Sequence, residues 1–350
     1  MPYKSLMLRV FSCLARLINL RLMGLKQIFD TSDSCHRQKM PLNTDVWQDI
    51  QVSLNREGKR VVFLGRMYKP QQPHSRQCLY FVMGKQNHKD YHVSVNRIHQ
   101  LASTLNCVAY LFNHRPNQYD LDKPLYHTVS SLSQIVTDHQ SLCKHLIGLR
   151  RASKWCIMGH SFGGLIASHV FVRLKQDQEL FNDLGGSVAF QCVLSQGLYS
   201  FWLGMRAHIN GSIDQALDRL PQRLLSYFPV PRLKQYLFSI IVQWVDHEGF
   251  NLNVPFDVLS TYAEDVLITG LINDDTIPQE TNVLVQAIQY QQNQPYSRPL
   301  KCVELVPKYV KSQLACASNH CAYPDQLHDQ TTQTESAIIK TFVNSSVGMA

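Results

Sequence analysis

Five consecutive residues could hold a reactive serine, namely Gly159-His160-Ser161-Phe162-Gly163. A strand-like apolar run comes directly before them, and a helix-like run of small and apolar residues comes directly after. A sharp turn from a strand into a helix lifts a serine hydroxyl clear of the sheet, and glycine is needed on both sides because a Cβ there would collide with neighbouring elements. The pattern therefore predicts a nucleophile elbow with Ser161 at its tip. The alternative is a tight turn in which Ser161 only caps the helix.

The elements that would position this turn alternate along the chain from Arg60 onward. The apolar strand candidates are residues 61–68, 78–83, 107–112, 155–158, 190–194, 266–271 and 302–306. Helical stretches between and after them include residues 91–105, 128–149, 165–175 and 336–343. Several strand candidates are apolar at consecutive positions, as in strands that are buried on both faces of a parallel sheet. We therefore predict an α/β fold with a doubly wound, mostly parallel sheet.

One interval of about seventy residues interrupts the alternation. It follows the strand that ends near Ser195, the fifth of these candidates, and it contains many aromatic residues and an amphipathic helix over residues 233–245. We interpret it as a helical cap over the carboxyl edge of the sheet, where ligands bind in such folds. The alternative is an extra packing layer, since aromatic stripes usually belong to a core. The predicted division is an N-terminal helix and linker (1–43), an α/β core (44–196 and 265–350) and the cap (197–264).

The segment Gly159–Gly164 resembles the elbow of the α/β-hydrolase superfamily, which includes lipases, esterases, thioesterases and some peptidases. The resemblance covers about residues 60–345 in element order, and only the elbow is specific. More weakly, the chain is similar to hydrolase-like proteins of intracellular bacteria, the chlamydial CHLPS group and the SidB-type effectors. The resemblance implies a serine nucleophile followed along the chain by an Asp and then a His.

The resemblance also implies where the acid and the base lie. The acid should follow a late strand, and an Asp four residues before a Pro selects Asp274, with Asp275 as a close alternative. A turn with two solvated acids would use the same residues. The base should follow the last strand and precede the final helix, which selects His320, with His328 in the same loop as the alternative. The carboxylate would fix the tautomer of the imidazole and stabilise its protonated form.

Two backbone N–H groups are expected to bind the oxyanion. The Phe162 N–H lies at the N-terminus of the helix after the elbow, where the helix dipole favours negative charge. In the strand numbering of the family, residues 78–83 are the third strand and residues 190–194 are the sixth, after which the cap is inserted. The second donor should come from the loop after the third strand, which selects the Lys85 N–H. Here the sequence departs from the family's His-Gly motif, because Met83 stands where His often stands, although Gly84 is retained. The loop 113–116 resembles another common loop of the family and is interpreted as structural.

The distribution of charge and hydrophobic residues indicates which partners and which cellular location to expect. The formal charge is +8, but residues 1–29 hold five Lys or Arg and no acid, so the basic excess does not predict a nucleic-acid surface across the domain. Those 29 residues predict a cationic amphipathic helix for peripheral membrane contact, or alternatively a face that packs on the domain. Neither a membrane span nor a cleavable signal peptide is evident. Cytoplasmic location, or export without a cleavable signal as for an effector, is therefore expected.

The remaining residues do not predict a metal site or a cofactor. The ten cysteines form no CxxC pair and no Cys/His ligand cluster. Five of them lie in apolar strand-like runs and are expected to be small buried hydrophobes in a reducing compartment, namely Cys78, Cys107, Cys156, Cys192 and Cys302.

These features predict a carboxylesterase-like or lipase-like serine hydrolase that cleaves an ester or thioester, with a small-molecule or lipid-like acyl substrate. The aromatic cap favours a hydrophobic acyl group. Two alternatives stay open at this point. The fold could serve as a non-catalytic interaction scaffold, for example a secreted effector, since fold alone does not confer activity. The same triad could also transfer an acyl group to an acceptor other than water.

Overall fold

The computed structural model of this chain describes residues 45–56, 58–73, 76–84, 92–114, 131–150, 152–177, 179–180, 188–203, 214, 217, 230–247, 252–272, 274, 277, 279–305 and 330–345. Its strands are β1 (Trp47–Arg56), β2 (Lys59–Tyr68), β3 (Gln77–Val82), β4 (Val108–Phe112), β5 (Lys154–His160), β6 (Ala189–Ser195), β7 (Val266–Gly270) and β8 (Lys301–Glu304). Its α-helices are α1 (His92–Leu105), α2 (Leu132–Leu149), α3 (Phe162–Lys175), α4 (Val230–His247), the short α5 (Phe256–Leu259), α6 (Val283–Asn293) and α7 (Gln330–Ser345).

The eight strands form one sheet in the order β1-β2-β4-β3-β5-β6-β7-β8. Strand β2 runs antiparallel to both of its neighbours, and every other pair is parallel. The prediction of a mostly parallel α/β sheet is confirmed. Because β5, β6, β7 and β8 are adjacent and parallel, the segments that follow them all leave from one carboxyl edge, where such folds bind ligands.

Helices cover both faces of the sheet. One apolar cluster joins alternate strand residues such as Tyr80 and Ile157 to α2, α3 and α6. The other joins the intervening residues, such as Phe81 and Met158, to α1 and α7. Successive side chains of a strand point to opposite faces, so strands that are apolar at every position can fill both clusters. This arrangement explains why β3 and β5 read as continuous apolar runs.

The sequence-based prediction missed strand β1, because it placed the first strand after Arg60. The segment Trp47–Arg56 forms a hairpin with β2, in a register that pairs Arg56 with Lys59. Gly58 in the connecting turn has a φ of +74°, which favours glycine. Alternation of Ile50, Val52 and Leu54 with polar residues was the available signal for this half-buried edge strand.

Two predicted regions are described in part or not at all. Residues 1–44, which include the predicted N-terminal helix, lie outside the described residues. In the interval 197–264, the structure describes the helix α4, longer than the predicted 233–245, and the short helix α5. Among the described helices, none has the length and apolar character needed to cross a membrane.

The described cysteines are free thiols. Cys78, Cys107, Cys156 and Cys192 are buried as predicted, whereas Cys302 on the edge strand β8 is only half-buried. Burial raises the pKa of the Cys156 thiol to about 12, so this sulfur stays protonated at neutral pH.

Candidate active site

Ser161 lies between the end of β5 and the start of α3, at the carboxyl edge of the sheet. Its φ of 56° and ψ of −126° lie in a region that residues other than glycine rarely adopt. The Ser161 side chain makes no capping hydrogen bond to α3. Ser161 keeps partial solvent exposure, whereas His160 and Phe162 on either side of it are buried. The segment thus has the strand–turn–helix form that the sequence predicts, with Ser161 at the N-cap position of α3 but without the side-chain hydrogen bond of a capping serine.

The glycines around Ser161 occupy positions that leave no room for a side chain. A Cβ on Gly159 would lie 2.1 Å from the Gly163 carbonyl oxygen. A Cβ on Gly163 would lie 2.1 Å from the Val82 carbonyl oxygen, at the end of β3. A Cβ on Gly164 would lie 2.9 Å from the Gly197 Cα. Glycine is therefore required so that α3 can begin directly against the loops that follow β3 and β6.

Backbone hydrogen bonds to the end of β6 hold Ser161 in its strained conformation. The Ser161 N–H donates to the Ser195 carbonyl at 3.2 Å, and the Leu198 N–H donates to the Ser161 carbonyl at 3.0 Å. The Gly164 N–H also donates to the Ser161 carbonyl, at 2.9 Å. The surrounding backbone therefore fixes the position from which the Ser161 side chain leaves the sheet.

The predicted acid lies in the loop after β7. Asp274 is half-buried, and its Oδ1 accepts a hydrogen bond from the Ile277 N–H at 2.9 Å. Asn282 steadies the same loop, since its Nδ2 donates to the Leu271 carbonyl at 2.7 Å while its Oδ1 caps the first turn of α6. Asp275 lies outside the described residues. The structure thus places Asp274 two strands from Ser161 on the carboxyl edge of the sheet.

The segment that contains both candidate bases is bounded by two anchored ends. His320 and His328 lie outside the described residues, between Leu305 and Gln330. At the first end, the Leu305 N–H donates to the Gly270 carbonyl at 2.7 Å, so the chain leaves β8 beside the acid loop. At the second end, α7 packs against α1 and lies on the sheet.

A buried polar cluster that the sequence-based prediction missed anchors α7 under the same edge. Glu335 of α7 accepts hydrogen bonds from the Ser195 hydroxyl at 2.5 Å and the Thr269 hydroxyl at 2.6 Å, and it pairs with Arg97 of α1 at 2.5 Å. Ser195 and Thr269 are partners in the register of β6 and β7. An isolated Glu in a helix that otherwise looks amphipathic gives no signal of this role, because its partners are distant in sequence.

Replacing Glu335 by alanine is expected to lower the free energy of unfolding by about 3–5 kcal/mol, because Arg97 would remain buried without its counter-charge. Chemical denaturation measures the change. Lys234→Ala is the matched control, since Lys234 pairs with Asp214 at a similar distance of 2.7 Å while both side chains are at least 36% exposed. Loss of that exposed pair should cost less than about 1 kcal/mol. Equal costs for both variants would contradict the assigned role of Glu335.

The loop after β3 contacts a second buried polar group, formed by Tyr80, His139 and His114. The Tyr80 hydroxyl lies 2.7 Å from His139 Nδ1, and His139 Nε2 lies 2.9 Å from His114 Nδ1. His114 Nε2 lies 2.9 Å from the Met83 carbonyl oxygen. Lys85, the predicted second oxyanion donor, lies outside the described residues. We call these three side chains and the Met83 carbonyl the histidine chain.

Burial keeps both histidines of this chain neutral. It lowers the pKa of His114 from 6.5 to about 4, an effect that backbone hydrogen bonding to Met83 and Gly84 partly offsets. Burial also places the pKa of His139 well below its usual value, and the nearby His114 lowers it further. In the unfolded chain both rings titrate near pH 6.5. Because the unfolded state then binds more protons, the stability that neutral His114 contributes is complete above pH 6.5 and is lost as the pH falls towards 4.

We therefore expect the wild-type protein to lose about 3 kcal/mol more stability between pH 7.5 and pH 4 than the variant His114→Gln, which has no group to protonate at this position. Denaturant unfolding of both proteins across this range measures the difference. Titrating groups that do not contact His114 cancel in this comparison, and His139, whose pKa His114 lowers further, adds to the difference in the same direction. The same acid-induced loss in both proteins would show that His114 is not a buried neutral base.

Aromatic residues from the interval 197–264 lie against the elbow. The Phe201 ring packs edge-to-face on the Phe162 ring, with 5.6 Å between centroids. The neighbouring Trp202 contacts Phe238 of α4 at 5.8 Å. Aromatic packing therefore links the residue after Ser161, through the neighbouring Phe201 and Trp202, to the long helix of the interval.

Among the residues that the structure describes, no three His, Cys, Asp or Glu side chains lie close enough together to hold a metal ion.

No protein-family model matches the sequence, and no curated protein matches it. The structure is similar to that of an esterase from Pyrococcus furiosus, at 13% identity over 88% of this chain and 95% of that chain, with a TM-score of 0.50. Weaker similarities are to an esterase from Rhizomucor miehei (10% identity, 96% and 97% covered, TM-score 0.48) and to Est1E from Butyrivibrio proteoclasticus (13% identity, 85% and 98% covered, TM-score 0.47).

At such identities the likeness bears on architecture alone, and the mostly parallel eight-stranded sheet agrees with it. The chain has the α/β-hydrolase fold.

Proposed function

We propose that this chain is a serine hydrolase that cleaves an ester or thioester through an acyl-enzyme on Ser161. The observation that supports the proposal most strongly is the backbone conformation of Ser161, with a φ of 56° at the carboxyl edge of the sheet. A non-glycine residue in such a conformation costs about 1–3 kcal/mol. A turn with only a structural role would favour glycine at position 161, because glycine adopts this conformation without the steric cost. The serine side chain therefore argues for chemistry over a non-catalytic scaffold.

The mechanism that this site would support begins with proton transfer from Ser161 to a histidine, His320 or His328. The Ser161 oxygen attacks the acyl carbon, and the developing oxyanion accepts hydrogen bonds from the Phe162 and Lys85 N–H groups. The protonated histidine then donates its proton to the leaving alcohol or thiol. Water, deprotonated by the same histidine, attacks the acyl-enzyme and releases the acid. Asp274 or Asp275 would hold the histidine in the required tautomer.

The packing around the elbow supports a hydrophobic acyl group. Phe201 and Phe162 are buried against each other next to the nucleophile, and the half-buried rings of Trp202 and Phe238 leave apolar surface beyond that contact. An acyl chain lying along such rings would lose its contact with water. Each buried methylene contributes about 0.8 kcal/mol, which favours longer chains. A cap over the site, formed by the interval 197–264, would provide this binding surface.

Hydrolysis of a series of p-nitrophenyl esters, from acetate to dodecanoate, tests the proposal. We expect the purified protein to hydrolyse them, with kcat/KM rising with chain length. Ser161→Ala should lower kcat by about 10³-fold or more. Two pairs of variants identify the acid and the base of the triad, namely Asp274→Asn with Asp275→Asn and His320→Ala with His328→Ala. Only one member of each pair should cause a comparable loss of kcat.

The proposed function predicts further that Lys85→Ala retains most activity, since the proposed donor is a backbone N–H. Turnover by Ser161→Ala at the wild-type rate would refute the serine mechanism. Activity restricted to acetate would refute the hydrophobic acyl preference while leaving the mechanism intact.

A further inference from the structure

The histidine chain has a single consistent arrangement of protons. The Met83 carbonyl can only accept, so His114 Nε2 must carry the hydrogen of that 2.9 Å bond. A neutral His114 then has a bare Nδ1, which accepts from His139 Nε2 at 2.9 Å. His139 Nδ1 is therefore also bare and accepts from the Tyr80 hydroxyl at 2.7 Å. The depressed pKa values of both rings agree with this neutral, directional chain.

The histidine chain begins in the rigid core and ends at the loop after β3, the proposed source of the second oxyanion donor. Tyr80 lies on the central strand β3, and His139 lies on α2, which packs against α3. Each of Tyr80, His139 and His114 is at most 1% exposed, so water does not compete for these hydrogen bonds. Met83 directly follows β3 and immediately precedes the glycine that leads to Lys85.

His114 also contacts the nucleophile's own helix. Its ring packs edge-to-face on the Phe162 ring, with 5.5 Å between centroids. The Val82 and Met83 carbonyls approach Gly163 so closely that a Cβ there would lie 2.1 and 2.5 Å from them. His114 therefore lies where the loop after β3 meets the start of α3, the two backbone segments that would supply the oxyanion donors.

We infer that His114 is a positioning residue, which holds the Met83 carbonyl and thereby orients the loop that presents the second oxyanion donor. The inference rests on the proposed function. A peptide group is planar, so fixing the Met83 carbonyl also fixes the direction of the Gly84 N–H, at the start of the loop. Oxyanion donors act only when they are already in place, and a displacement of about 1 Å can cost about 10²-fold in rate.

Two substitutions of His114 separate its hydrogen bond from its packing. His114→Phe keeps a flat ring against Phe162 but loses the donor to Met83. His114→Gln places an amide N–H near the position of Nε2 and should restore the bond in part. Tyr68→Phe is the control for the loss of a hydrogen bond elsewhere in the fold. It removes a hydroxyl that lies 2.7 Å from the Ser103 hydroxyl, away from this loop.

The experiment measures kcat and KM for a p-nitrophenyl ester together with Ki for an alkyl trifluoromethyl ketone. The Ser161 oxygen adds to this ketone and its proton passes to the histidine, which leaves an oxyanion on the former carbonyl oxygen. For His114→Phe we expect kcat to fall and Ki to rise by about 10–100-fold each, with KM changed less than about threefold. His114→Gln should recover at least half of the loss on a logarithmic scale, and Tyr68→Phe should match the wild type.

The outcomes distinguish this inference from the proposed function. If the wild-type protein neither hydrolyses esters nor binds the ketone, the proposed function fails. If the wild type does both and His114→Phe keeps its Ki, only the positioning role is overturned. A parallel rise in KM and Ki would show a general structural defect and would also overturn it. If a melting experiment shows that His114→Phe does not fold, Tyr80→Phe is measured in its place. An unchanged Ki for Tyr80→Phe would refute the histidine chain, and a raised Ki with constant KM would support it.

Discussion

Ser161→Gly is expected to raise the free energy of unfolding by about 1 kcal/mol while lowering kcat by about 10³-fold or more. Glycine adopts the φ of 56° and ψ of −126° at this position without the steric cost that serine bears. Part of this gain is offset, because glycine gives the unfolded chain more conformational freedom. Opposite changes in stability and activity at one residue are what a strained nucleophile predicts. Urea unfolding and ester turnover of the same preparation measure both.

The control for this prediction is Ser168→Gly, in the regular part of α3. The Ser168 hydroxyl donates to the Leu165 carbonyl at 2.7 Å within the helix, where glycine is disfavoured. We expect this variant to lose about 1 kcal/mol or more of stability. If Ser161→Gly were destabilised to the same extent, Ser161 would not be strained, and its backbone conformation would no longer support a chemical role.

Gly163→Ala is expected to cost about 3 kcal/mol or more of stability and to remove most ester turnover. The new Cβ would lie 2.1 Å from the Val82 carbonyl oxygen and 2.5 Å from the Met83 carbonyl oxygen. Both contacts are with backbone, so a side-chain rotation cannot relieve them, and either α3 or the loop after β3 must move. Because that loop is the proposed source of an oxyanion donor, activity should fall even in the fraction that remains folded.

Gly148→Ala provides the matched control. Gly148 lies in α2 with nothing within 4 Å of an added Cβ, so alanine there should leave stability unchanged or raise it by up to about 1 kcal/mol. Thermal or denaturant unfolding compares the two variants. A Gly163→Ala protein as stable and active as Gly148→Ala would contradict the close approach of α3 to the β3 loop.

The parts of the fold that follow from local patterns were predictable from the sequence. Continuous apolar strands fill both faces of the sheet, and the glycine spacing around Ser161 identified the turn, because steric limits at a strand-to-helix turn depend on adjacent residues. Strand β1 was missed because its one buried face gives a weaker, alternating pattern, with only Trp47 and Val52 fully buried.

The polar clusters around the site were not predictable in the same way. Glu335 lies 140 residues from Ser195, and His139 lies 59 residues from Tyr80, so no local spacing joins them. The loop 113–116 was interpreted as structural on resemblance alone. In the structure, His114 is the last member of the histidine chain. Its members lie on β3, after β4 and on α2, and they meet only because these elements pack together in the folded protein.

Reaction of the native protein with a fluorophosphonate, followed by peptide mass mapping, tests the nucleophile most directly. We expect a single phosphonyl group on Ser161 in the folded wild-type protein, no labelling of Ser161→Ala, and no labelling of the wild type after denaturation in urea. Labelling at a different serine, or an unlabelled Ser161 in a folded protein, would contradict the assignment of this residue as the nucleophile.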